Sequence, residues 1–416
     1  GLIRMVFSNN LLMGAAGQAT GYEIEQSIRF NDNDSAYLAR TPSSAGNRRT
    51  FTFSCWVKRA NITGANCPIF TAGGDEWLMF LSGDTLGFNQ DGSNNYRIVT
   101  TQLFRDPGAW FHLVLRVDTT NATAGDRFRL YINGAEVTNF GTDTNPPLNY
   151  DTAINNTVEH NIGKLVGGSV FFDGYLAEIH HVDGSSLAPT SFGETNNDGV
   201  WIPKAYSGSY GTNGFYITGA TDSDLGEDFS GNNNDFTSTG LTTADQMPDT
   251  PTLNAATLNP LWKTAATVIS DGNLVAKNGS GNTYQRAIST FAIDDGGKYA
   301  CEFQKSAGTF GYVGVFQVGN NNVTSGNNYM YAINLGNGEV VKNAAVVIDV
   351  GAAPANSLMR VEYDSSNDTI KIFDDGTEIF PAATGVSNVT GLTGQDSLHF
   401  GCAMFATNTI ITATFQ

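Results

Sequence analysis

The sequence predicts an all-β protein: two antiparallel β-sandwich (jelly-roll) domains in tandem, preceded by an extended N-terminal arm. Three observations carry that expectation. Short apolar runs alternate at a period of two and are separated by Gly, Asn, Asp, Ser and Pro, the pattern of strands joined by turns. Gly reaches 47 copies while charged residues are only 15% of the chain, which leaves few windows fit for helix. At 416 residues the chain is also longer than one hydrophobic core usually serves, so two cores are expected.

Residues 1–21, "GLIRMVFSNNLLMGAAGQATG", are read as the arm. They superficially suggest a signal peptide, but Ser8, Asn9 and Asn10 interrupt the apolar run. Residues 22–225 then carry a series of strand candidates, among them "SIRFN", "FTFSCWVKR", "WLMFLS", "WFHLVLRVD", "FRLYINGAEV", "FFDGYLAEIHHVD" and "GFYIT". Many short strands without intervening helices fit a sandwich or jelly roll. Residues 226–262 hold three prolines and little alternation, and are expected to form an ordered linker anchored by Phe229, Phe236, Leu253, Leu258 and Trp262. From 263 to 416 the strand series resumes with "KYACEFQK", "YVGVFQVG", "LMRVEYD", "TIKIFDDGTEIF" and "LHFGCAMF". Asn133-Gly134 and Asp375-Gly376 sit at equivalent places in two similar stretches and predict two-residue hairpins.

Composition excludes several classes of function. A net charge of −18 repels phosphate backbones and anionic headgroups, so nucleic acid is not an expected partner. No stretch approaches the roughly 20 apolar residues of a membrane-spanning helix, so membrane insertion is not expected either. Cys55, Cys67, Cys301 and Cys402 show no C-x-x-C spacing. Cys55 is in phase with Phe51, Phe53 and Val57, and Cys301 with Tyr299 and Phe303, so both read as core thiols rather than disulfide partners.

The stretch "GYLAEIHHVDGSSL" poses the sharpest chemical question, because it holds two of the five histidines. At a strand's period, Tyr175, Ala177, Ile179 and His181 fall on one face and Leu176, Glu178, His180 and Val182 on the other. Adjacent histidines therefore point apart, and a zinc site would lack a third ligand. Catalysis is also not expected. No E-x-D-x-E spacing supplies the closely paired carboxylates of a retaining glucanase, and no nucleophile elbow or phosphate loop occurs in its proper context.

"RFNDNDSAYLAR", "FTFSCWVKR", "WFHLVLRVD", "LYINGAEV" and "FDGYLAEIHHVDGSSL" together resemble a laminin-G-like, concanavalin A-like jelly roll. In the second half "GGKYACEFQK", "YVGVFQVG", "LMRVEYDSSNDTIKIFDDGTEIF" and "LHFGCAMFATNTIITATF" are similar to a SPRY domain. The tandem order, with "LMGAAGQATGYEIEQSIRF" before it and "GVWIPKAYSGSYGTNGFYI" closing the first half, resembles surface proteins of tailed-bacteriophage virions. That resemblance implies a non-enzymatic structural protein on the virion surface, a capsid decoration, head fibre or tail fibre. It also implies capsid or tail proteins and host surface polysaccharide as partners. Closed symmetry makes a homo-oligomer the expected state, a trimer first. The alternatives are a cellular or secreted glycan-binding lectin and a glucanase.

The candidate residues follow from these readings. Glycan binding would use aromatic faces beside polar side chains, for which Trp77, Trp201, Tyr206 and Tyr210 are candidates; Trp110, which opens a strand, reads better as core. The laminin-G-like resemblance makes calcium a possible cofactor, with Asp32 and Asp34 in "NDNDS" and Asp228 and Asn232 in "EDFSGNNND" as oxygen donors. The same residue types also build ordinary turns. Leu2, Ile3, Phe7, Leu11 and Leu12 are the apolar positions expected to anchor the arm on the particle.

Overall fold

The computed structural model describes residues 21–415, apart from 63, 75, 91, 93–94, 295, 309, 318–329, 343–344, 352–355 and 382–396. Leu2, Ile3, Phe7, Leu11 and Leu12 lie outside the described residues. The rest falls into two compact units that meet in sequence at Asn254 and Ala255. No helix among the described residues is long and apolar enough to cross a membrane.

In the first unit, one sheet runs Ala135–Glu136, Phe128–Ile132, Phe111–Asp118, Thr50–Arg59, Gly174–Asp183, Ser27–Phe30 and Gln246–Met247, with Phe215–Ile217 added beside Gly174–Asp183. The other runs Phe140–Thr144, Arg97–Leu103, Thr85–Gln90, Glu76–Phe80, Cys67–Ala72, His160–Ile162, Tyr37–Arg40 and Thr237–Thr239. All pairings are antiparallel. Strand alternation explains the core between the sheets. Phe51, Phe53, Cys55 and Val57 project inward from Thr50–Arg59 and meet Phe70, Leu78, Phe80 and Phe88. Phe53 and Phe70 stack with centroids 4.7 Å apart. Asn133 and Gly134 both adopt positive φ, as a two-residue turn joining strands of right-handed twist requires, and Asp375-Gly376 repeats this in the second unit.

The stretch expected as a linker, 226–262, is instead divided between the two units. Thr237–Thr239 pairs with Tyr37–Arg40, and Gln246–Met247 pairs with Ser27–Phe30. Leu225 and Phe236 enter the first core, and Asp245 holds the buried Arg29 at 2.9 Å. Leu258–Lys263 is a strand of the second unit. Sequence-local alternation is weak here because these short edge strands are held by side chains distant in sequence.

The second unit is also a two-sheet antiparallel sandwich. One sheet runs Leu258–Lys263, Gln285–Ser289, Leu398–Met404, Gly311–Gln317, Met330–Asn334, Glu339–Lys342 and Ala345–Asp349. The other runs Thr267–Ser270, Val275–Asn278, Ile410–Phe415, Lys298–Ala307, Leu358–Asp364, Thr369–Asp374 and Thr377–Phe380. Its core includes Cys301, Phe303, Val313, Val315, Val361 and Phe400. All four cysteines are buried and free.

Candidate functional site

The first sheet of the first unit carries packed side chains on its outer face as well as its inner one. Ile24, Trp56, Trp110, Tyr175 and Ala177 form one outer cluster, and Val114, Tyr131, Val182, Phe192 and Tyr210 a second. The covering residues come from the 187–216 segment, from Tyr22 and Ile24, and from Met247.

A β-bulge reorganises the middle of this face. The pairing of Gly174–Asp183 with Thr50–Arg59 shifts between Ala177 and His180, and Glu178 sits at φ +50°. An extra residue reverses the alternation beyond it. Tyr175 and Ala177 therefore face outward while Ile179 packs in the inner core, which corrects the unbroken alternation expected from sequence. His180 and His181 still point to opposite faces. His180 stacks on the Tyr216 ring of the outer cluster, whereas His181 contacts Phe51, Phe70 and Phe215 inside.

The bulge delivers Glu178 into a buried polar network. Its carboxylate accepts hydrogen bonds from Tyr22 Oη at 2.8 Å and Tyr216 Oη at 2.7 Å, and His180 Nε2 lies 3.4 Å away. His180 Nδ1 is 2.8 Å from Tyr210 Oη. Burial, then the Glu178 charge, pushes the Tyr22, Tyr210 and Tyr216 phenols above their usual range, so all three stay protonated. Nearby, Trp201 Nε1 donates to His112 Nδ1 at 3.0 Å, and His112 Nε2 is 2.8 Å from Ser54 Oγ. Since Nδ1 accepts, the neutral ring carries its proton on Nε2 and donates to Ser54. A positive φ on a non-glycine residue at the centre of such a network is the kind of strain a packed surround must hold in place.

The four aromatic candidates separate on this frame. Trp201 and Tyr206 are half-buried on the same sheet face, Trp201 stacked on His112 and Tyr206 on Phe192, with Tyr206 also edge-on to His180. Tyr210 belongs to the buried floor and is 8% exposed, so it offers no free ring face. Trp77 lies on the other sheet, also 8% exposed, with its ring against Gly87, where a Cβ would come within 3.0 Å. Trp110 is buried as expected, with Nε1 donating to Asp249.

The acidic candidates are engaged in turns. Asp228 accepts four hydrogen bonds, from the backbone N–H of Tyr216, Ser230 and Asn234 and from Ser230 Oγ, at 2.7 to 2.8 Å. Asn232 Nδ2 donates to the Gly211 and Gly214 carbonyls. Both oxygens of the Asp228 carboxylate thus serve the loop as hydrogen-bond acceptors. Asp32 and Asp34 share a short 3-10 turn in which Asn31 donates to Asp34 and accepts from the Asn33 N–H. Burial raises the Asp32 carboxyl above its ordinary value. Among the described residues, no three His, Cys, Asp or Glu side chains are grouped to hold a metal ion.

Sequence reasoning missed the roles of Glu178, Tyr22, Tyr216 and Ser54, and named no candidate in the second unit. There, Trp262, Tyr284 and Tyr312 pack half-buried against Ile288, Phe316, Ala332, Val341 and Ala403 on the outer face of one sheet. Burial pushes the Tyr284 phenol up to about 12. The only available signal was an aromatic at the outward phase of a strand, which ordinary surfaces also carry.

The buried histidines set a pH dependence. Burial lowers His112 to about 3, His181 to about 3 and His160 to about 4, from an ordinary value of 6.5. Below pH 6.5 the unfolded chain binds protons that the folded chain refuses, so stability is fully present above pH 6.5 and falls as pH drops toward 4. Each histidine contributes a slope of up to about 1.4 kcal/mol per pH unit. Urea unfolding at pH 7, 6 and 5 should show the first unit weakening; equal stability at all three pH values would contradict buried neutral rings.

Comparison with known proteins places the fold. A family model described as the concanavalin A-like lectin/glucanases superfamily matches residues 31–190. No curated protein matches the chain. Among solved structures, the chain is similar to the SPRY domain of human HERC1 at 11% identity, covering 38% of this chain and 98% of that one, with a TM-score of 0.33. It is similar to domains LG4-5 of the mouse laminin alpha1 chain at 11% identity, covering 96% and 92%, with a TM-score of 0.33. A putative carbohydrate binding protein from Bacteroides ovatus is 16% identical, covering 52% and 58%, with a TM-score of 0.31. The family match spans strands of both sheets of the first unit, from the turn at Asn31 through Gly174–Asp183, and that unit is an antiparallel jelly-roll sandwich.

Proposed function

We propose that this chain is a non-enzymatic structural protein of a tailed-phage virion, displayed on the particle surface as a capsid decoration, head fibre or tail fibre, where it binds host surface glycans. The observation that carries the binding role is the half-buried pair Trp201 and Tyr206, held on one sheet face of a lectin-type jelly roll above two buried histidines. Aromatic faces stack on the apolar faces of sugar rings, and a rigid platform loses little entropy on binding. The virion role is supported by the tandem order of the two sandwiches and by the flanking stretches that resemble such proteins. Partners would be capsid or tail proteins and further copies of this chain, a trimer first.

The binding role is tested on purified protein against polysaccharides extracted from bacterial surfaces. Tyr206→Ala and Trp201→Ala, each checked for folding by circular dichroism, should weaken binding about tenfold or more, equivalent to roughly 1.4 kcal/mol. Unchanged affinity in both variants refutes the platform. Release of reducing sugar from a β-glucan panel would favour the glucanase reading. The virion role is tested separately by mass spectrometry of purified particles, where the chain should be recovered at a fixed ratio to the major capsid protein.

A further inference from the structure

Lys58 occupies the outer face of strand Thr50–Arg59, opposite Tyr175, and its side chain is completely buried. Its Nζ donates to Asp249 Oδ2 at 2.7 Å and to Asn254 Oδ1 at 2.9 Å. Each partner is itself held. Asp249 Oδ1 accepts from Trp110 Nε1 at 2.9 Å, and Asn254 Nδ2 donates to the Gly108 carbonyl at 2.9 Å. The Tyr175 ring lies 5.9 Å from the amine. An amine, a carboxyl group and a carboxamide therefore converge in a pocket walled by Trp110 and Tyr175, both nine-tenths or more buried. A buried lysine paired with an aspartate would by itself be a structural ion pair. The carboxamide within reach of the same nitrogen, with its leaving NH₂ already oriented, adds the parts of an acyl transfer.

We propose that Lys58 and Asn254 join in an intramolecular isopeptide bond, with Asp249 carrying the proton. Lys58 Nζ first gives a proton to Asp249 Oδ2, the acceptor already in contact. The freed lone pair attacks Asn254 Cγ, forming the Nζ–Cγ bond while the carbonyl π pair moves to Oδ1. Asp249 relays a proton from Nζ to Nδ2. The Oδ1 pair then reforms the carbonyl, the Cγ–Nδ2 bond breaks and ammonia departs, taking up the proton that Asp249 first received. Asp249 ends as a carboxylate, and the net products are one secondary amide and one ammonium ion. No oxidant or co-reactant is required.

The location gives the bond a mechanical consequence. Asn254 is the last residue of the first unit, and Lys58 lies on a strand in the middle of its sheet. The bond would pass tension arriving from the chain beyond Asn254 directly to Thr50–Arg59, bypassing the edge strand Gln246–Met247.

The test is the intact mass of the purified, folded full-length chain, followed by tryptic mapping under denaturing conditions. The wild type should be lighter than its sequence by one ammonia, with Lys58 uncleaved and the peptide ending at Arg59 covalently linked to the one containing Asn254. Lys58→Arg, Asn254→Ala and Asp249→Asn should each restore the full mass, and circular dichroism identifies which variants remain folded. Folded wild-type protein of full mass with ordinary peptides overturns the proposal. A deficit of one water, with Lys58 joined to Asp249, overturns the assignment of Asn254.

Discussion

Arg59→Ala is expected to destabilise the first unit by about 3–5 kcal/mol, the cost of breaking a buried ion pair from one side. Arg59 ends the strand Thr50–Arg59 and is 1% exposed. Its guanidinium donates to Asp84 Oδ1 at 3.2 Å from both terminal nitrogens, to the Asn61 carbonyl at 2.9 Å and to the Phe104 carbonyl, and lies 4.4 Å from the Phe80 ring centroid. Truncation removes all of these and leaves a cavity against Phe80. Arg105 offers an internal control, because it reaches the other oxygen of Asp84 at 2.8 Å from a largely exposed side chain. Arg105→Ala should therefore cost no more than about 1 kcal/mol. Urea titrations followed by tryptophan fluorescence compare the two variants. Similar midpoint losses would show that burial does not set the worth of these contacts.

Phe303→Ala should cost the second unit about 3–5 kcal/mol, the usual range for emptying an aromatic from a closed core. Phe303 is completely buried on Lys298–Ala307, between Ile410–Phe415 and Leu358–Asp364, so neither neighbour can fold into the space without breaking its ladder. The two main cores share no residue, and the loss should be confined to one of two unfolding transitions. At roughly 2–4 °C per kcal/mol for a unit of this size, the shift is large enough to resolve by calorimetry. A single transition displaced as a whole would mean that the units unfold as one.

Much of the fold was legible because alternation is a local property. Phe51, Phe53, Cys55 and Val57 face one core and Cys301 and Phe303 the other, as their spacing implied. The candidate site was far less legible. Trp201 and Tyr206 were identifiable as aromatics in a loop-like stretch, yet nothing local distinguished them from Tyr210, which the same stretch buries. The Glu178 network joins Tyr22 across 156 residues, and Tyr22 meets Tyr216 across 194. Such partners leave no spacing to read.

The sequence by itself determined the class of fold, the hairpins at Asn133-Gly134 and Asp375-Gly376, the inward thiols and the opposed directions of His180 and His181. Each depends on the strand period or on the φ that a turn demands, and both act within a few residues. Tertiary structure alone decided the bulge at Glu178, the incorporation of residues 226–254 into the first sandwich, and which outer faces are covered. A period of two separates the faces of a strand without stating what packs on either, and that is settled only when distant segments meet and bury one another.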